Sequence, residues 1–109
     1  MYSASVIIPA HNEEAVIGAT LTALLSGLDP DTVEIIVVCN GCTDDTVAVA
    51  KRVGWPVQVV EIDRRSKTAA LNEGDSIATT YPRIYLDADI EIGGTSIARL
   101  VELLKKPGV

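Results

Sequence analysis

Val6-Ile7-Ile8-Pro9-Ala10-His11-Asn12-Glu13-Glu14 is the stretch from which the architecture of this chain can be read. An apolar run of strand length with no polar alternation belongs to a strand buried on both faces, the habit of parallel sheets covered by helices. Pro9 closes that strand. From Glu14 to about Leu28, Ile17, Leu21, Leu24, Leu25 and Leu28 recur at intervals of three and four, one face of a helix. Asp29-Pro30-Asp31 is a stop and turn. The same strand-then-helix pattern returns three more times. Glu34-Ile35-Ile36-Val37-Val38 is the second strand, and Thr43 is the expected N-cap of a helix with Asp44 and Asp45 in its first turn. That helix should run to about Val53 and stop at Gly54, with Pro56 beyond. Val57 to Ile62 is the third strand. Ser66 to about Thr79 is a helix with Ala70, Leu71, Gly74, Ile77 and Ala78 inward. Arg83-Ile84-Tyr85-Leu86 is the fourth strand, and Thr95 should cap a last helix carrying Ile97, Leu100, Val101 and Leu104, ended by Pro107-Gly108. Four such units in succession predict an α/β fold, a Rossmann-like parallel sheet with right-handed crossovers and helices on both faces.

Composition narrows the class. A chain of 109 residues, 48% hydrophobic and 22% charged, fits one domain and is too apolar for disorder. The net charge of -6 argues against nucleic acid as a partner, since phosphate backbones are bound by clustered Lys and Arg. A phosphate ligand would need a metal or a local basic group. No apolar stretch approaches the roughly 20 residues that span a bilayer, and no basic segment precedes the first strand. A cytoplasmic location is the expectation, with a peripheral place at the inner face of the membrane as its variant. Two cysteines are too few for a disulfide scaffold.

Parallel sheets bind ligands beyond the carboxyl ends of their strands. Each of the four ends here carries polar residues: Pro9 to Glu14, Cys39-Asn40-Gly41-Cys42-Thr43-Asp44, Asp63-Arg64-Arg65-Ser66-Lys67, and Asp87-Ala88-Asp89. In the last of these, two carboxylates two residues apart point to one side and repel unless a cation intervenes; hard oxygen ligands suit Mg²⁺ or Mn²⁺. The bland alternative is a solvated turn. Asn12-Glu13-Glu14 either opens a helix or sets Glu13 on the hydroxyls of a ribose or sugar, with Pro9 and His11 flanking a base. His11 is the only histidine, which disfavours a zinc site. Cys39-Asn40-Gly41-Cys42 between strand and helix is where a thiol redox pair would sit, and that is one rival reading. A non-catalytic interaction module is another. Arg64, Arg65 and Lys67 are either a phosphate-facing cluster or an exposed loop, and Asn72 lies about a turn and a half further on. No glycine-rich phosphate cradle is present.

Taken in order, Val6 to Glu14, Val37 to Asp44, Lys67-Thr68-Ala69-Ala70-Leu71-Asn72-Glu73-Gly74 and Leu86 to Asp89 resemble the start of a family-2 glycosyltransferase over nearly the whole chain. The resemblance implies the N-terminal half of a GT-A fold with leading strand order 3-2-1-4. It implies an inverting, metal-dependent enzyme using a nucleotide-diphospho-sugar. On this pattern Pro9, Ala10, His11 and Glu13 meet base and ribose, His11 standing where a tyrosine is frequent. Val38 and Asn40 meet the base edge, Asn40 replacing a frequent aspartate, as does Cys39. Lys67 approaches the phosphates, Asp87 and Ala88 the donor, and Asp89, with Asp87, the Mg²⁺ or Mn²⁺ ion. The acceptor is a lipid, polysaccharide or small molecule. The sequence stops about 20 residues after Asp89. The general base is therefore expected outside it: either a missing half or another chain, a second copy included, supplies it, or transfer activity has been lost.

Overall fold

A computed structural model describes residues 2–106. Four strands and four helices alternate: β1 (Ala4–Ala10), α1 (Ile17–Leu25), β2 (Val33–Asn40), α2 (Thr46–Val53), β3 (Val57–Ile62), α3 (Lys67–Ile77), β4 (Arg83–Tyr85) and α4 (Gly94–Leu104). The sheet is parallel throughout, in the order β3-β2-β1-β4. This is the architecture the alternating pattern predicts. β1 and β2 are buried along their whole length, as their unbroken apolar runs require, whereas β3 at one edge is only half-buried, with Gln58 and Glu61 exposed.

The two faces are filled unequally. Even-numbered residues of β1 (Val6, Ile8, Ala10) meet Ile17, Leu21 and Leu24 of α1, Ala50 of α2, and Ile97 and Val101 of α4 in the larger core. Ile7, Ile36 and Val38 face the other way, onto α3 alone, where Ala70 is the buried contact. Below the sheet, buried Glu34 accepts hydrogen bonds from Ser5 Oγ at 2.8 Å and from Thr79 N and Oγ1 at 2.9 and 3.2 Å. Those three donors satisfy the acid and tie β1, β2 and the end of α3 together.

Several boundaries differ from the periodicity. α1 is shorter than Glu14–Leu28, because residues 14–16 form a turn around the Glu13 carbonyl and Gly27 takes a left-handed φ of 77°. Thr43 does not cap α2. Asp45 holds the N-cap position without a side-chain bond, while Asp44 accepts from the Thr46 backbone N–H at 3.0 Å and from its hydroxyl. Thr95 lies inside α4, whose N-cap is Gly93. Ser66 does cap α3, accepting from Ala69 N at 3.1 Å. The expected stop at Pro107-Gly108 lies outside the described residues.

β1 continues through Pro9 rather than ending before it. Ser5 N donates to the Pro82 carbonyl and Leu86 N to that of Ile7, so odd-numbered β1 residues address β4. Pairing with β4 ends at Ile7–Tyr85, and Pro9 is the next odd position. Its missing N–H therefore breaks no ladder bond. β1 and β2 run on past the end of β4, which leaves a notch at the carboxyl edge of the sheet.

Candidate functional site

The notch is an open cavity of about 260 Å³ lined by Pro9, His11, Glu13, Asn40, Lys67, Asp87, Ala88 and Asp89. Three of the four strand ends, together with the start of α3, thus converge where parallel sheets place their ligands.

Two of the residues singled out from the sequence are not part of the wall. Ala10 turns into the α1 side of the core and Val38 into the α3 side, both with essentially no exposed surface. Only backbone atoms are left at those positions. The expected basic cluster contributes Lys67 alone; Arg64, Arg65 and Asn72 are exposed elsewhere.

Asn40 is the hub of the loops. Only 3% exposed, it donates from Nδ2 to the Ala10 carbonyl at 3.1 Å and accepts at Oδ1 from Ser66 N at 3.1 Å. Both ends of its amide are thereby engaged, one on each neighbouring loop. The base-edge contact expected of Asn40 is reduced to the second Nδ2–H and the remaining lone pair of Oδ1. Its own carbonyl lies 2.7 Å from His11 Nδ1. A carbonyl can only accept, so Nδ1 carries the proton and Nε2 of the neutral ring is an acceptor.

Asn12, in the left-handed region at φ 49°, accepts at Oδ1 from Thr43 N at 2.8 Å and from Asp44 N at 3.3 Å. Glu13 is held by its backbone: its N–H donates to Thr46 Oγ1 at 2.8 Å. Asp44, fixed by these bonds, has its carboxyl pulled below the ordinary range, chiefly by the Thr46 hydroxyl. Thr20 does similar work under the Asp-Ala-Asp turn. Fully buried on α1, its hydroxyl donates to the Ala88 carbonyl at 2.5 Å and fixes the turn that presents Asp87 and Asp89. Sequence reasoning missed Thr20. Its one signal is a polar residue set among Ile17, Leu21 and Leu24 on the apolar face of the helix.

Lys67 Nζ reaches Asp87 Oδ1 at 2.7 Å across the cavity mouth. Asp89 projects into solvent beside it. Among the described residues, no three His, Cys, Asp or Glu side chains converge to cage an ion. The thiol pair is poorly placed for redox chemistry. Cys39 is buried in the larger core, and burial first, then neighbouring Cys42, pushes its thiol up to about 12. A thiol held so firmly protonated is a weak nucleophile. Among the described residues no helix is long and apolar enough to cross a membrane.

The chain resembles known proteins along its length. An uncharacterized glycosyltransferase of Mycobacterium tuberculosis is 35% identical over 102 residues, 94% of this chain and 44% of the relative. A mannosyltransferase of Pyrobaculum calidifontis, solved with GDP-Man and Mn²⁺, superposes with a TM-score of 0.86 at 30% identity, over 98% of this chain and 33% of that one. Glucosyl-3-phosphoglycerate synthase of Mycobacterium tuberculosis, solved with Mn²⁺, UDP and glucosyl-3-phosphoglycerate, gives 0.80 at 29% identity, over 97% and 41%. The chain thus spans less than half the length of these relatives. The strand order β3-β2-β1-β4 is that of their GT-A fold. With the profile described as glycosyl transferase family 2 matching residues 5–109, this chain belongs to that family.

Proposed function

We propose that this chain is the donor-binding part of an inverting, metal-dependent glycosyltransferase that takes a nucleoside-diphospho-sugar and passes the sugar to a hydroxyl acceptor. The observation that carries the reading is the single cavity in which Pro9, His11 and Glu13 face Lys67, Asp87 and Asp89. Its two halves differ in chemistry as the two halves of such a donor do. Pro9 and the His11 ring offer an apolar flank and one acceptor nitrogen to a base. Glu13 offers a carboxylate to ribose hydroxyls, and Lys67 an ammonium to phosphate.

The carboxylates fit a divalent cation. Two acidic side chains on one turn, with no cluster of three His, Cys, Asp or Glu ligands among the described residues, suit Mg²⁺ or Mn²⁺, which complete their shell with water and phosphate oxygens. Bound there, the cation would stabilise charge developing on the departing diphosphate. Asp89 would hold it, and Asp87 would hold it or a water on it. The mannosyltransferase and the synthase were both solved with Mn²⁺, one with GDP-Man and one with UDP, which supports this assignment.

Calorimetric titration of UDP and GDP into the chain, with and without Mn²⁺, tests the reading. One of the two should bind with Mn²⁺ and at least tenfold more weakly without it, and Asp89→Ala should remove that difference. Equal binding in all arms, or none in any, rejects it.

A further inference from the structure

The charge inventory of the cavity is unbalanced. Glu13, Asp87 and Asp89 line it against one cation, Lys67, although Arg64 and Arg65 stand in the loop just before. That ammonium is already engaged, 2.7 Å from Asp87 Oδ1. A carboxylate so engaged is a weaker ligand for a divalent cation, because the two positive charges would then sit within a few ångströms of each other. Neither side chain is locked by packing: Lys67 is 64% exposed and Asp87 58%. Exposed pairs of this kind contribute about fivefold at most, the equivalent of about 1 kcal/mol, so a competing anion can break this one.

We propose that Lys67 is a placeholder for the cation. In the empty chain it neutralises Asp87; when a diphosphate arrives, Lys67 moves to a phosphate oxygen and leaves Asp87 free for Mg²⁺ or Mn²⁺. The inference rests on the donor-binding reading and adds an order to it. Diphosphate and cation become cooperative, since each is favoured where the other has drawn a charge out of the Lys67–Asp87 pair, and this coupling is reciprocal. Lys67 suits the exchange because a flexible stem carries its charge from the first residue of α3, beside the cavity.

The test is a double-mutant cycle read on nucleotide-free Mn²⁺ affinity, followed by the electron paramagnetic resonance of free Mn²⁺. The proteins are the 109-residue chain, Lys67→Met, Asp87→Asn and the double variant, each checked for an unchanged circular dichroism spectrum. Lys67→Met should tighten Mn²⁺ up to about fivefold in the parent and leave it nearly unchanged in the Asp87→Asn background, while weakening UDP or GDP in the presence of Mn²⁺. An equal gain in both backgrounds would reduce Lys67 to diffuse charge and overturn the proposal. So would no gain in the parent, or no Mn²⁺ binding by any of the four. The donor-binding reading is judged separately, by nucleotide binding to the unmodified chain, so failure of the placeholder is distinguishable from failure of that reading.

Discussion

Asn40 shows how one residue can hold a site together while lining it. Its amide joins Ala10 on one side to Ser66 on the other, bonds that need one donor and one acceptor. Aspartate, the residue that the family resemblance favours at this position, keeps the acceptor and loses the donor. Asn40→Asp should therefore leave the Ser66 bond in place and set a carboxylate oxygen against the Ala10 carbonyl. The expected loss is about 1–3 kcal/mol in urea unfolding, the range for stranding a buried polar group. An unchanged midpoint would mean that the Cys42 thiol, 3.5 Å from the Ala10 carbonyl, is partner enough for it. The polar character of the site was legible from sequence because Pro9, His11, Glu13, Lys67, Asp87 and Asp89 each follow, or lie close after, an apolar strand run. The supports were not. Thr20 and Glu34 look like misplaced polar residues in apolar runs until partners 68 and 45 residues away are brought to them. Spacing along a chain carries no record of such pairings.

At the scale of elements, periodicity located every strand and helix, because burial repeats along them. It was least accurate where backbone geometry rather than burial ends an element. The capping bonds around Thr46 and the short reach of β4 are set by loops from elsewhere in the chain. One contact between elements is unusually close: a methyl added at Gly74 of α3 would overlap Ile7 Cγ2 on β1. Two effects of Gly74→Ala therefore oppose each other. Alanine favours the helix by about 1 kcal/mol. Overpacking costs about 1–3 kcal/mol and acts on the layer that carries Lys67 into the cavity. The overlap should win, because Ile7 is fully buried in a central strand and has nowhere to yield. Net destabilisation in urea unfolding, with weaker nucleotide affinity as α3 is pushed outward, is the expected result. A more stable variant would show that α3 can lift without loss.

For the molecule as a whole, the unequal faces of the sheet decide where it opens. One face is covered by α1, α2 and α4, with Ile17, Leu21, Leu24, Ala50, Ile97 and Val101 buried between them and the strands. The other has α3 alone, contributing Ala70 and Gly74 as its only fully covered residues. A helix held by so little buried apolar surface can leave the sheet without unfolding the rest. α3 also carries Lys67 and, through the Ser66 cap, the bond to Asn40, so opening of that layer dismantles the cavity. Native-state hydrogen exchange should accordingly show α3 amides exchanging faster than those of β1 and β2. A ligand that touches Lys67 as well as the ends of β1 and β4 binds only the closed form. At a hundred times its dissociation constant it should slow α3 exchange about a hundredfold, the equivalent of about 2.7 kcal/mol. UDP or GDP with Mn²⁺ supplies that ligand. α2 lines no part of the cavity, so its locally opening amides should respond much less. Were α3 to exchange at the rate of the central strands, or to stay fast while the strands alone slowed, the thin face would not be the one that opens, and ligand binding would not depend on its closure.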